Sequence, residues 1–220
     1  MLKSASITPI AKPHKDTTKA ENYWAISLTP VLSKLLESIV QKQLLDLFGP
    51  EELFHDSQYG FRKGRSCEDV LLMCVEKWRL ALDKGKTVAI AFLDLSKAFY
   101  NVDHQCLLLK LKSLNISGTV FMWFADYLSD RWQRVSDSTG SGIRASVQKG
   151  VPQGSVRRPT LFNFYLSQVP DIAKSTSVEV PSYADDITVF AVDASPRCAI
   201  QKFSDALGLI STDLQLNGLV

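Results

Sequence analysis

The chain has 220 residues, 45% hydrophobic, 10% aromatic and 22% charged, proportions of an ordinary folded protein that exclude collagen-like, coiled-coil and wholly disordered classes. Lys+Arg 25 against Asp+Glu 23 leaves a net charge of +2, which points to no partner by itself, although a local basic face is compatible with it. Cys67, Cys74, Cys106 and Cys198 show neither C-x-x-C nor zinc spacing; no secretory leader pattern and no apolar run of roughly 18 residues is present. The expectation is a soluble intracellular protein, in the cytoplasm and/or nucleus, with reduced thiols and no membrane contact.

In chain order, residues 1–21 carry Pro9, Pro13, Lys12, Lys15 and Lys19 without periodicity and read as an extended N-terminal arm, ordered only by packing onto something else. The rest, 22–220, reads as one domain. Val31, Leu32, Leu35, Leu36, Ile39, Val40, Leu44 and Leu47 recur at helical spacing and stop at Gly49-Pro50, which predicts an amphipathic helix from Pro30 to Phe48. Ser66 with Asp69 three residues on predicts a capped helix running to Gly85. Thr87 to Leu93 is a nearly unbroken apolar run rich in β-formers, predicting a strand buried on both faces with Asp94 at its end.

Helical patterns follow over about Gln105–Leu114 and Gly118–Leu128. Trp132–Val135 and Ile143–Val147 then flank a Ser/Gly-rich stretch as a hairpin. Gly150-Val151-Pro152-Gln153-Gly154-Ser155 reads as a turn opening a helix over Pro159–Gln168. Val178-Glu179-Val180, Tyr183-Ala184-Asp185-Asp186 and Ile187–Phe190 read as strand, tight turn and strand, and Pro196–Leu216 as a last helix. This mixture is of the α+β class.

Carboxylates stand where strands end: Asp94 after the apolar run, Asp185 and Asp186 in the tight turn. If those strands are neighbours, about 4.8 Å apart, the carboxylates meet at one sheet edge, where like charges repel unless a divalent cation neutralises them. Oxygen-only ligands suit Mg²⁺ or Mn²⁺, and two such ions can serve an in-line phosphoryl transfer. Adjacent aspartates equally solvate ordinary hairpin tips, and Asp94 could be a strand terminator or helix cap. From these residues alone both readings stand. A hydrolase is poorly supported: there is no G-x-S-x-G elbow, and His14, His55 and His104 have no evident partner, with His104 read as a surface or helix-start residue.

Five segments in order, Asn22–Leu28, Gln58–Arg62, Phe92–Phe99, Gly150–Ser155 and Tyr183–Asp186, resemble the successive motifs of the reverse transcriptases of non-LTR retrotransposons, the LINE or jockey-like class. The resemblance covers the chain from about Asn22 to Leu216. It implies right-hand polymerase fingers and palm, an antiparallel palm sheet with packed helices, and an RNA-directed DNA polymerase working with an RNA template, a DNA primer and dNTPs through two Mg²⁺ (or Mn²⁺) ions. By the same resemblance Asp94, Asp185 and Asp186 are metal ligands and catalytic, assisted by the carbonyl of Leu95. Phe99 is the bulky residue under the sugar that rejects a 2′-hydroxyl, or an ordinary core aromatic. Gln153, Arg62 and Arg65 lie near the incoming nucleotide or template, and Tyr183 and Gly154 near primer and template.

Three departures from the family pattern bear on activity. Trp24 and Ala25 stand where the family has Arg-Pro, removing a cation whose phosphate contact is worth about 1.5 to 3 kcal/mol. Tyr100 replaces the usual Asp, and Arg157-Arg158 replaces Leu-Gly. The family's thumb and endonuclease domains are expected to lie outside this chain, which is therefore read as a truncated, partly degenerate copy of weak or no activity. The alternative is a non-catalytic, reverse-transcriptase-like nucleic-acid-binding module.

Overall fold

The computed structural model describes residues 2–49, 53–95, 98–137, 140–151, 154–155 and 158–219, and for Asp137, Ser141 and Arg158 the backbone alone. Seven strands and eight helices are described in chain order: β1 (Ser4–Ala11), β2 (Tyr23–Leu28), α1 (Val31–Phe48), α2 (Cys67–Asp83), β3 (Thr87–Asp94), α3 (Ala98–Asn101), α4 (His104–Ser113), α5 (Gly118–Leu128), β4 (Arg131–Asp137), β5 (Gly140–Val147), α6 (Arg158–Leu166), α7 (Val169–Lys174), β6 (Ser182–Tyr183), β7 (Asp186–Asp193) and α8 (Pro196–Leu216). They form two compact units, each built from two separated segments: Met1–Leu47 with Asp103–Arg158, and Phe48–Val102 with Pro159–Val220. No helix among the described residues is long and apolar enough to cross a membrane.

The first unit holds a four-stranded sheet in the order β2-β1-β4-β5. Its β1 is the segment that reads as an arm in the sequence. It gains its order from two neighbours, running antiparallel to β2 from Ser6 opposite Leu28 to Ala11 opposite Tyr23, and parallel to β4 from Ser4 beside Trp132 to Ile7 beside Val135. Ala5 and Ile7 turn one face inward, an alternation too short and too interrupted by polar residues to stand out in the sequence. Helices α4 and α5 bring Leu107, Leu111, Phe124 and Leu128 into the core. Helix α1 has the expected bounds, but its buried positions are Ser33, Glu37 and Leu44, while Val31, Leu32, Leu35, Ile39 and Leu47 are more than half exposed. Spacing marks a helix; it does not say which stripe is covered.

The second unit is a three-stranded antiparallel sheet, β3-β7-β6, with helices packed on it. The centre is β7, whose Ile187, Val189, Phe190 and Ala191 are buried. Strand β3 is an edge strand, with β7 its one neighbour in the sheet among the described residues, and it is not covered on both faces: Ile90 and Phe92, on one face, are exposed, Phe92 at 73%. The expected strand Val178–Val180 is reduced to a bridge between Glu179 and Phe190. Helix α2 opens with a full capping box, Ser66 accepting from the Asp69 N–H while the Asp69 carboxylate accepts from the Ser66 N–H. Its Val70 and Cys74 pack on Phe190, with Tyr59, Trp78 and Tyr183 around them. Helix α6 contributes Leu161, Phe162, Phe164 and Tyr165, all fully buried, and α8 contributes Ala199, Ala206 and Ile210.

Candidate active site

The β3–β7 ladder runs in register from Thr87 opposite Asp193 to Asp94 opposite Asp186. Directly opposed residues of an antiparallel pair have Cβ atoms about 4.5 to 5.5 Å apart, so the ladder ends on two facing aspartates. The next ladder, β6–β7, sets Tyr183 opposite Asp186, leaving Ala184 and Asp185 as a two-residue turn. Ala184 has φ 57°, a left-handed conformation uncommon for a residue with a side chain. Something must hold it there.

That support is Gln58, 5% exposed. Its Nε2 donates to the Ala184 carbonyl at 3.3 Å, and its Oε1 accepts from the Ala184 N–H at 3.1 Å and from the Gly60 N–H at 2.8 Å. The backbone on either side joins in: the Tyr59 N–H donates to the Ser182 carbonyl and the Ser182 N–H to the Ser57 carbonyl, both at 2.8 Å. A Cβ on Gly60 would stand 2.2 Å from the Ala184 nitrogen, so the residue here must be glycine for the strands to approach. Asn163 of α6 fixes the same glycine by donating from Nδ2 to its carbonyl at 2.9 Å. The segment Gln58–Gly60 is therefore a cradle for the aspartate turn. The sequence marks these residues as part of a motif but offers no signal of this role.

Electrostatically the three acids belong together. The Asp186 carboxyl is pushed above the usual carboxylate range by burial first, then by the charges of Asp185 and Asp94. The donor set is oxygen only, the kind that suits a hard divalent cation. Among the described residues, however, no three His, Cys, Asp or Glu side chains are gathered into a group that could hold a metal as they stand. Beyond Asp94, the Leu95 side chain is 3% exposed, and its carbonyl accepts from the Ala98 N–H at 3.2 Å, starting α3.

The remaining sequence-predicted residues fall into different surroundings. Phe99 lies 4.1 Å, centroid to centroid, from Phe162 and edge-on to Phe61 at 6.3 Å, so it is an aromatic packing residue, half-buried within α3. Arg62, expected to face phosphate or template, is turned inward: its guanidinium is 6% exposed, donates to the His55 and Gln58 carbonyls and lies over Phe54. Two carbonyls and a ring inside the loop, with Asp56 Oδ1 at 3.9 Å, take the place of solvent around this cation. Arg65 is nearer the surface, paired with Asp56 at 3.1 Å and stacked over Tyr59 at 4.8 Å. Tyr183 is half-buried against the Val70–Cys74–Phe190 cluster. Gln153 and Arg157 lie outside the described residues.

Within the first unit, the turn that contains Gly154 is anchored at both ends. His104, the first residue of α4, donates from Nε2 to the Gly150 carbonyl at 2.9 Å. Gly154 has φ 103°, and a Cβ there would stand 2.3 Å from the Ser27 carbonyl oxygen of β2. Ser155 Oγ donates to Glu37 Oε2 at 2.7 Å and meets Tyr127 Oη at 2.9 Å, while Tyr127 Oη also reaches Glu37 Oε1 at 3.2 Å. Glu37 is 1% exposed. It is the only carboxylate in this triad, and it draws both hydroxyls inward. Neither Glu37 nor His104 carries a sequence signal for that role.

The family model of reverse transcriptase (RNA-dependent DNA polymerase) matches residues 10–216. The chain is 33% identical over 216 residues to an RNA-directed DNA polymerase from the mobile element jockey of Drosophila funebris, and 31% identical over 192 residues to a probable RNA-directed DNA polymerase from transposon BS of Drosophila melanogaster. Those alignments take in 92% and 85% of this chain but 23% and 21% of the relatives, so the chain spans about a quarter of their length or less. In fold it is similar to apo telomerase from Candida tropicalis, with a TM-score of 0.70 at 13% identity, over 99% of this chain and 48% of that one. The chain belongs to the reverse transcriptase family, and its kind is the reverse transcriptase domain of non-LTR retrotransposons.

Proposed function

We propose that this chain is the polymerising core of an RNA-directed DNA polymerase, carried by a mobile element, with Asp94, Asp185 and Asp186 as its catalytic carboxylates. The observation that carries the reading is the cross-strand pairing of Asp94 with Asp186 next to the Gln58-supported turn. Those three side chains, with the Leu95 carbonyl beside Asp94, are the residues that would hold two Mg²⁺ or Mn²⁺ ions. When bound, such ions lower the pKa of an attacking hydroxyl and neutralise charge on the phosphates.

The chain's own residues then have separable tasks. Gln58 and Gly60 hold the Ala184–Asp185 turn. Phe99, backed by Phe162, presents a ring that excludes a ribose 2′-hydroxyl, so Phe99→Val is expected to admit ribonucleotides. Arg65 faces phosphate from the loop surface, whereas Arg62 braces that loop from within. The family resemblance assigns Gln153, outside the described residues, to the incoming nucleotide, and Gly154 and Tyr183 to primer and template. RNA serves as template and DNA as primer, with dNTPs as substrates.

The test is primer extension by the purified chain with an RNA template, labelled dNTPs and Mg²⁺ or Mn²⁺. Extension that Asp185→Asn and Asp94→Asn both abolish supports the polymerase. RNA binding without extension, unchanged by either substitution, supports the second reading, a non-catalytic nucleic-acid-binding module. That second reading is favoured by Trp24, 46% exposed where the family resemblance places a triphosphate-binding arginine.

A further inference from the structure

The first unit holds a small cavity of about 120 Å³ between α1, α5 and the beginning of β4, closed by Leu2 and Lys3 just ahead of β1. Its apolar wall is Leu2, Leu36 and Trp123, the indole lying stacked on the Tyr127 ring at 5.0 Å. Its polar wall carries two cations, Lys3 and Arg131, and two acids, Glu37 and Asp126. Three of those four charges already have partners. Lys3 and Asp126 pair with each other at 2.8 Å, and Glu37 accepts from the Ser155 and Tyr127 hydroxyls. Arg131 is different: it is 3% exposed, yet it forms no ion pair among the described residues. Among those residues its guanidinium makes one hydrogen bond, from Nη1 to the Tyr127 carbonyl at 3.0 Å, and it lies over the Tyr127 ring at 4.6 Å. A guanidinium is a planar fork of N–H donors, and burying one without a counter-ion is costly.

We propose that this cavity binds a small monocarboxylate with a compact apolar body, its carboxylate on the remaining N–H groups of Arg131 and its body against Leu2, Leu36 and Trp123. A carboxylate matches a guanidinium in shape and accepts from two of its N–H groups at once, a charge-assisted pairing stronger than a neutral one. Size limits the rest of the ligand. A cavity of about 150 Å³ takes a benzene ring, so one ring or a short branched chain is the body that fits this one. Phosphate suits the place less well, because Glu37 and Asp126 repel a dianion more than a monoanion and a bare phosphate has nothing to lay on the apolar wall. The site stands apart from the aspartates and does not rest on the polymerising function. Glu37 and Tyr127 nevertheless meet Ser155 from the same wall, so an occupant touches the anchors of the Gly154–Ser155 turn.

The experiment is fluorine NMR of para-fluorobenzoate titrated with the full chain, in which the fluorine signal is expected to shift and broaden to saturation. The neutral isostere para-fluorobenzamide is expected to bind about tenfold more weakly or worse, because a charged acceptor on a guanidinium is worth at least that factor. Arg131→Gln is expected to weaken benzoate binding by about the same factor in protein with an unchanged circular dichroism spectrum. Should Arg131→Gln fail to fold, Leu36→Trp decides. Leu36 is 45% exposed, so a larger side chain is tolerated there; it fills the cavity, leaves Arg131 in place and is expected to abolish binding. Shifts that never saturate, or that saturate alike in the Leu36→Trp protein, overturn the proposal, as does benzamide binding as tightly as benzoate. Displacement by inorganic phosphate as readily as by unlabelled benzoate overturns the carboxylate assignment. So does tighter binding of para-fluorophenylglycine, whose ammonium would then be meeting Glu37. Asp185→Asn leaves all these titrations unchanged, so failure at the aspartates is distinguishable from failure here.

Discussion

Gln58 and Ala184, 126 positions apart, exchange hydrogen bonds in both directions, the side-chain amide of one matching the backbone amide of the other. Replacing Gln58 by Met keeps the volume and removes the amide, leaving the N–H groups of Ala184 and Gly60 and the Ala184 carbonyl unsatisfied. At about 1 to 3 kcal/mol for each such group, urea unfolding is expected to show a loss of at least about 3 kcal/mol. Gln58→Glu keeps the acceptor and loses the donor, and is expected to fall between the two. A Gln58→Met protein as stable as the parent would mean the turn supports itself.

Gly60→Ala and Gly154→Ala test close backbone approaches. The added methyl would stand 2.2 Å from the Ala184 nitrogen in the first case and 2.3 Å from the Ser27 oxygen in the second, and in both the obstacle is backbone. Each is expected to destabilise by more than about 2 kcal/mol. Gly208, inside α8 with nothing within 4 Å of a built Cβ, is the internal control: Gly208→Ala is expected to stabilise by about 0.5 to 1 kcal/mol through helix propensity. Thermal melts of the three variants settle the order.

The buried triad Glu37–Tyr127–Ser155 makes a pH prediction. Burial pushes the Tyr127 hydroxyl up to about 12, with the Glu37 charge adding to the effect. The unfolded chain loses this proton near 10 and the folded chain near 12, so the contribution is complete below pH 10 and declines as the pH rises from 10 towards 12. Spectrophotometric titration should show a tyrosine step at about 12 in the parent that Tyr127→Phe lacks. Glu37→Ala, which strips both hydroxyls of their charged acceptor, is expected to destabilise by about 2 to 4 kcal/mol.

Asp103 is the N-cap of α4, its Oδ1 accepting from the Gln105 and Cys106 N–H groups at 2.9 and 3.1 Å. Asp103→Ala is expected to cost about 1 kcal/mol. The Cys106 N–H bond leads the effects that hold this carboxyl below its ordinary value of 3.8. The stability it adds is therefore complete above pH 3.8 and is lost as the pH falls through the lower, folded value. Denaturation at pH 7 and pH 3 should show the parent and Asp103→Ala converging at the acid end.

What could be read in the sequence was whatever local chemistry determines. The capping box at Ser66, the bounds of α5 and α8 and the strand ending on Asp94 all follow from spacing and caps within a few residues. The pairing of Asp94 with Asp186 was inferable as well, since both lie at strand ends and one sheet can gather such ends. What was not legible depends on distant partners. Glu37 sits on the inward face of a helix most of whose apolar residues, Leu44 apart, are exposed or half-exposed, and two hydroxyls meet it there. Arg62 looks like a phosphate ligand until Phe54 and two carbonyls surround it, and β1 lacks a strong pattern because its neighbours, rather than its composition, make it a strand.

The interleaved connectivity of the two units affects how the chain emerges from a ribosome. The first unit cannot be completed before Arg158 is made, because β1 needs β4, and the second waits for the segment after Pro159 even though its own first half is already present. Until those later segments are made each sheet lacks strands, so the unpaired edges of β1 and β3 are the surfaces that a nascent chain must keep from sticking to other molecules.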